Sequence, residues 1–218
     1  EEIEKIFHWE GPFKRIEGFD ISNIQGRDPV ASMVVFEDAK PLKSAYRKFK
    51  MKSSGPDDYA MMAEVVRRRL ERALAGDPKF LPFPDLMLID GGKGQLSAAR
   101  NVMWELGLEK IPTLGLAKEF EQLFKEGESK PYVLPRNSVT LKLLQHIRDE
   151  SHRFALTFHR QLRDKRSLSS VLDEIPGVGK ARKRAIMAHF KSMKRLKEAS
   201  MEELLDVPQL PEKTAVAL

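Results

Sequence analysis

The 218 residues include 38 Lys or Arg and 32 Asp or Glu, a formal charge of +6, with 41% hydrophobic residues and no cysteine. This is a globular composition, long enough for one large domain or a medium one with a small one. It excludes a disulfide framework and a thiolate metal site, fits a reducing cytoplasm, and contains no apolar run near the roughly 20 residues that span a bilayer.

Glu1 to Trp9 reads as an amphipathic lead-in. Three strand signals follow: Arg15 to Ile21, Val30 to Phe36, and Leu42 to Met51, which alternates between two sides. Gln25-Gly26-Arg27-Asp28-Pro29 and Glu37-Asp38-Ala39-Lys40-Pro41 between them carry turn residues. The pattern predicts an antiparallel meander. Ser53 to Asp58 reads as a linker ending in capping residues. A helix over Tyr59–Ala75 is expected to bury Met62, Val65, Val66, Arg69 and Leu70, and Gly76-Asp77-Pro78 stops it.

Leu86 to Ile89 is a short apolar run of the kind buried on both faces of a sheet. Asp90, Gly91, Gly92 and Lys93 follow at once. A carboxylate at the carboxyl end of a central strand stands where open α/β sheets keep ligands. The alternative is that Asp90 caps the next helix, read from Lys93 to Leu106. Thr113–Ala117 is another strand, Gln122–Phe124 and Lys130–Leu134 suggest a hairpin, and a long helix starts near Asn137-Ser138. The order β-β-β-α-β-α-β-α predicts a mixed sheet flanked by helices, the order of ribonuclease-H-like nucleases.

In that order the first and fourth strands are neighbours, so Asp20 and Asp90 can converge across 70 residues of sequence. Paired carboxylates with hard-cation chemistry suit phosphodiester hydrolysis, where one or two Mg²⁺ or Mn²⁺ ions activate water and stabilise the leaving oxygen. On the last long helix, Arg148 and His152 are four residues apart and share a face. Spacing alone leaves that face either solvated or functional. Asp149 and Glu150 are fallback ligands.

Gly18-Phe19-Asp20-Ile21-Ser22, Gly55-Pro56-Asp57-Asp58-Tyr59-Ala60, Leu88-Ile89-Asp90-Gly91-Gly92-Lys93-Gly94-Gln95-Leu96 and His146-Ile147-Arg148-Asp149-Glu150-Ser151-His152-Arg153-Phe154-Ala155 together resemble the carboxy-terminal half of UvrC, the incision nuclease of bacterial nucleotide excision repair. The resemblance covers about residues 10 to 218. It implies a metal-dependent DNA endonuclease cutting 5′ of a lesion. Asp20, Asp90 and His152 would be its metal-binding and catalytic set, with Asp58 a further acidic position tied to activity. Asp58 also stands where a helix cap would. Lys93 and Arg148 are candidate phosphate contacts. The implied partners are damaged duplex DNA, the UvrB–DNA complex and an upstream GIY-YIG nuclease half, with no membrane. The alternative is a non-catalytic DNA-binding module of a repair assembly.

From Arg163 the character changes. Residues 160–200 hold twelve Lys or Arg and four Asp or Glu, a local charge of +8 against −2 for the rest. Such a block suggests a polyanion-binding module. The expected organisation is a nuclease domain over 1–163, a linker over 164–170 and a tandem helix-hairpin-helix domain over 171–218. Ile175-Pro176-Gly177-Val178-Gly179 leads into a basic helix, and its turn would offer Gly177, Val178, Gly179 and Lys180 backbone amides, with Arg182 beside them, to a phosphate. Val207-Pro208-Gln209-Leu210-Pro211 resembles a second copy with Gln209 and Pro211 at the glycine positions. Because Pro211 lacks an amide donor, the second copy is expected to bind phosphate poorly. A few residues of its second helix are expected beyond Leu218.

Overall fold

The computed structural model describes residues 2–22, 29–52, 57–118 and 121–218. Most of the first expected turn, residues 25–28, and residues 53–56 of the expected linker lie outside them.

Helix α1 (Glu2–Phe7) inserts Ile3 and Phe7 into the core. Strands β1 (Arg15–Ser22) and β2 (Val30–Glu37) pair antiparallel over their whole length. Their near-continuous burial reflects layers on both faces. The third expected strand is two pieces, β3 (Lys40–Pro41) and β4 (Arg47–Lys50), which pair separate stretches of β2. A 3-10 turn over Lys43–Ala45 separates them. The Arg47 guanidinium stabilises that turn by donating to the carbonyls of Ser44 and Tyr46, at 2.9 and 2.8 Å. Alternation alone could not foresee this side-chain staple.

Helix α2 (Asp58–Leu74) buries the expected face. Its Arg69 is fully buried and donates at 2.7 and 2.8 Å to the equally buried Glu17 of β1. Strand β5 (Leu86–Asp90) lies parallel to β1, helix α3 (Lys93–Glu105) returns the chain, and β6 (Thr113–Ala117) lies parallel to β5. Strand β7 (Gln122–Lys125) closes the sheet antiparallel to β6. The second arm of the expected hairpin is a single bridge, Leu123 to Tyr132. The sheet order is β3-β2-β1-β5-β6-β7, with β4 also on β2.

Helix α4 runs without interruption over Val139–Glu174. The expected linker, residues 164–170, therefore lies inside a helix. No Gly or Pro occurs between Arg163 and Glu174, and Leu168 and Leu172, one turn apart, are both fully buried. The two compact units divide between Leu156 and Thr157. The second unit also holds α5 (Lys180–Phe190), α6 (Met193–Lys197), α7 (Met201–Leu205) and α8 (Glu212–Ala215). They enclose a separate core that includes Leu172, Ile186, Phe190, Leu204 and Leu210.

Candidate active site

Parallel pairing of β1 with β5 ends at Phe19 and Ile89. The next residue on each strand is an aspartate, so Asp20 and Asp90 stand side by side at the carboxyl end of the sheet. Helix α4 closes over them, held by two contacts. Gly18 leaves room for Ile147, whose Cγ2 would lie 2.5 Å from any added Cβ. Ser32, opposite Asp20 in the β1–β2 register, donates to the Ser151 carbonyl at 2.8 Å in a buried bond. The next residue is His152, and its Nδ1 lies 3.2 Å from Asp20 Oδ2. One donor atom from each of Asp20, Asp90 and His152 lies within 4.8 Å of the others.

Around them is a cavity of ≈ 210 Å³ lined by Asp20, Asp90, Lys118, Arg148, Asp149 and His152. Asp20 is 5% exposed. Burial, then the charge of Asp90 and a hydrogen bond with it, push its carboxyl up to about 8, and Asp58 adds to the effect. Burial also raises Asp90, against the charges of Arg148, His152 and Lys118. Two carboxyls this close need a proton or a cation between them. A divalent ion would take the proton's place, and two carboxylates with an imidazole suit Mg²⁺ or, better, Mn²⁺. The residues fit such an ion.

The other expected positions divide. Asp57, not Asp58, caps α2, accepting from the amides of Tyr59 and Ala60. That frees Asp58 from the capping explanation and leaves its effect on Asp20. Arg148 reaches the cavity but is engaged by Glu121 at 2.6 Å and Asp149 at 2.9 Å. Of the fallback ligands, Asp149 lines the cavity. Glu150 does not: it accepts from Tyr46 at 3.1 Å and pairs with Arg153. Lys93 is exposed, outside the cavity lining, and its ammonium donates to the Ser129 carbonyl. Lys118 lines the cavity and was not foreseen. Its signal was available: it directly follows the strand Thr113–Ala117, as Asp90 ends its neighbour.

In the second unit the two hairpin turns share a backbone. Val178 donates to Ile175 and Leu210 to Val207, each at 3.2 Å. Gly177 has φ +87° and Gln209 φ +64°. Gly179 and Pro211 are the extended N-cap residues of α5 and α8. The second turn thus keeps the conformation of the first with residues that suit it less. Arg182 joins them, donating to the Gly177 carbonyl at 2.6 Å and the Gln209 carbonyl at 3.0 Å.

A mixed sheet in this order, with acids converging at its carboxyl end, defines a ribonuclease-H-like fold, followed here by a helix-hairpin-helix region. Residues 4–156 match the UvrC RNAse H endonuclease domain, and residues 169–218 match a SAM-like helix-hairpin-helix tandem. The chain belongs to the UvrC RNase H endonuclease domain family. It is 51% identical over 207 residues to the UvrABC system protein C of Moorella thermoacetica, covering 94% of this chain and 34% of that protein. A relative of the same name from Methanosphaera stadtmanae is 51% identical over 205 residues, covering 92% of this chain and 34% of its own. The chain therefore spans about a third of the length of these relatives. Among solved structures, it resembles endonuclease V of Ciona intestinalis in complex with DNA, with 24% identity, 49% of this chain and 46% of that chain covered, and a TM-score of 0.37.

Proposed function

We propose that this chain carries the 5′-incising, metal-dependent DNA endonuclease of nucleotide excision repair, together with a duplex-binding helical module. The observation that supports this most is the convergence of Asp20, Asp90 and His152 in one cavity of a UvrC-type nuclease domain. Asp20 and Asp90 would hold Mg²⁺ or Mn²⁺, with His152 as third ligand in its neutral form. Bound there, the ion would supply an activated water and offset charge on the phosphate. The buried position of Asp20 would limit competition from bulk water for its carboxylate, and the hydrogen bond from Ser32 to Ser151 holds the turn of α4 that sets His152 beside Asp20. The first hairpin would hold a phosphate on backbone amides before α5, without reading sequence. The products would be a 3′-hydroxyl and a 5′-phosphate. The substrate is damaged duplex presented with UvrB in the cytoplasm, and a GIY-YIG nuclease half makes the 3′ cut.

The test is a lesion-bearing duplex already nicked on the 3′ side, given to the full-length protein with its UvrB–DNA partner. The expected result is a 5′ cut with Mn²⁺, none with chelator, and none from Asp20→Asn or Asp90→Asn. A cut that survives chelation or either substitution overturns the reading.

A further inference from the structure

Two acids at the floor of a cavity repel the phosphodiester they are meant to cut. A cation of the protein would offset that repulsion alongside the ion. Arg148 is the obvious candidate, yet its guanidinium is engaged by Glu121 and Asp149. The two carboxylates take up its donors and its side chain is largely buried, although its charge still reaches Asp90. Lys118 is different. It follows β6, whose Leu116 pairs with Asp90, so it leaves the sheet at the same end as the acids. It lines the cavity, is exposed, and has no hydrogen bond or short ion pair among the described residues. Among the described residues, the cavity thus holds one buried cation engaged in close ion pairs and one exposed cation without a close partner, whose charge reaches both acids.

We infer that Lys118 is the phosphate-binding residue of the cavity, its ammonium donating to a non-bridging oxygen of the phosphodiester being cut. The inference rests on the endonuclease reading above. An ammonium on a flexible stem is a compact point charge that can follow a phosphate as its geometry changes from tetrahedral to five-coordinate. In the hydrolysis, a bond forms from the water oxygen to phosphorus and the bond from phosphorus to the 3′-oxygen breaks. The leaving oxygen keeps the electron pair and gains a proton as the water loses one. Lys118 neither gives nor takes a proton; it holds charge.

A competing role is indirect: Lys118 would only keep Asp20 and Asp90 ionised for the metal. Lys118→Ala and Lys118→Arg separate the two, with three measurements on the full-length protein. The first is affinity for a duplex against salt, with Ca²⁺ replacing Mn²⁺ so that nothing is cut. Loss of one phosphate contact should lower the slope of log affinity on log salt by about 0.9 in Lys118→Ala, and Lys118→Arg should restore it. The second is Mn²⁺ affinity without DNA, which should hardly change in either variant. The third is 5′ incision at saturating Mn²⁺ and DNA, which should fall by about tenfold or more in Lys118→Ala. An unchanged salt slope overturns the inference. So does a weaker Mn²⁺ affinity with incision fully recovered at high Mn²⁺. Asp90→Asn is run in parallel. If it cuts like the wild type, the endonuclease reading fails, while the salt slope still decides whether Lys118 meets phosphate.

Discussion

The acid cavity is assembled from strand ends at Asp20 and Asp90, a turn residue at Lys118 and a helix face at Arg148 and His152. The first hairpin turn is five consecutive residues, Ile175 to Gly179. The cavity places charge in a buried position, and the sheet must hold it there: Asp20 keeps a proton up to about 8 because burial and Asp90 disfavour its ionised form. The hairpin buries no charge. It presents backbone groups, which the turn orients by itself. A long-range site can therefore be chemically extreme, because the whole fold opposes its relaxation. A local turn is milder, and tolerates substitution as long as the backbone follows.

The strongest way to break this comparison is to remove one acid. Asp90→Asn should lower 5′ incision by about a thousandfold, the loss of several kcal/mol of transition-state stabilisation. Duplex affinity should stay the same or rise, since one charge that repels phosphate is gone. Incision rate and binding isotherms on the same preparation check both. A parallel fall of rate and affinity would show that cavity and hairpin are not separate functions.

The next effect is on stability against pH in the absence of metal. The folded Asp20 carboxyl is raised to about 8 from an ordinary 3.8, and Asp90 is raised as well. Between those values the folded chain binds more protons than the unfolded chain. Its stability should therefore fall as pH rises from about 4 to about 8 and level off above. Asp77 and Glu150 are held low, by the Lys79 amide and by Arg153 respectively. Their contribution is present above their unfolded values and is lost only in acid, below this window. Urea midpoints at pH 5.5 and pH 8 with chelator should show the drop, and Asp20→Asn should flatten it. Mn²⁺ should stabilise more at pH 8 than at pH 5.5, because it needs the ionised acids.

What the sequence disclosed follows the same division. The hairpin was legible because its signal is contiguous: two glycines, an apolar residue between them and a basic helix. Asp20 and Asp90 were legible because strand order predicts which strand ends are neighbours. His152 was not legible from spacing, which grouped it only with Arg148; the resemblance supplied it, and the Ser32–Ser151 bond that aims it joins residues far apart in sequence. Lys118 is not marked by any motif, although the strand-end argument applies to it too: the apolar run before it signals a buried strand and no chemistry. Lys93 drew notice through its glycines, yet its stem turns to the Ser129 carbonyl. The change from nuclease to basic region at Arg163 suggested a break in the chain. Composition changes there, but helix propensity does not, and Leu168 and Leu172 carry α4 on.

Within the second unit the comparison sharpens between the two hairpins. Gly177 and Gln209 adopt the same left-handed backbone, which glycine accepts freely and other residues at a cost of about 1–2 kcal/mol. Gly177→Ala should destabilise this region by about that much, and its new Cβ would lie 3.2 Å from Thr214 Oγ1. Gln209→Gly should act in the opposite direction and stabilise by about 0.5–1 kcal/mol, part of the relief being offset by the greater freedom of glycine when unfolded. Amide hydrogen exchange in α5 reads both. Equal signs would mean that the shared turn geometry is not what stabilises the tandem.

The most discriminating effect is at Arg182. Its sequence context, beside a hairpin on a basic helix, suggests a cation for phosphate. Its guanidinium instead spans the carbonyls of Gly177 and Gln209, the two left-handed residues. A planar fork that reaches two carbonyls in different turns fixes their relative geometry, which an ammonium on a flexible stem holds less rigidly. Arg182→Lys keeps the charge and loses the fork. If the tie is what matters, Arg182→Lys and Arg182→Met should both destabilise the tandem by about 1 kcal/mol. Both should also weaken duplex binding while the slope of log affinity on log salt stays as in the wild type. If Arg182 meets phosphate directly, Arg182→Lys should be nearly silent and Arg182→Met should lower that slope by about 0.9. Backbone amide shifts at Gly177 and Gln209 decide between them at low salt without DNA. A tie moves both signals together in either variant, because releasing one carbonyl frees the turn that holds the other.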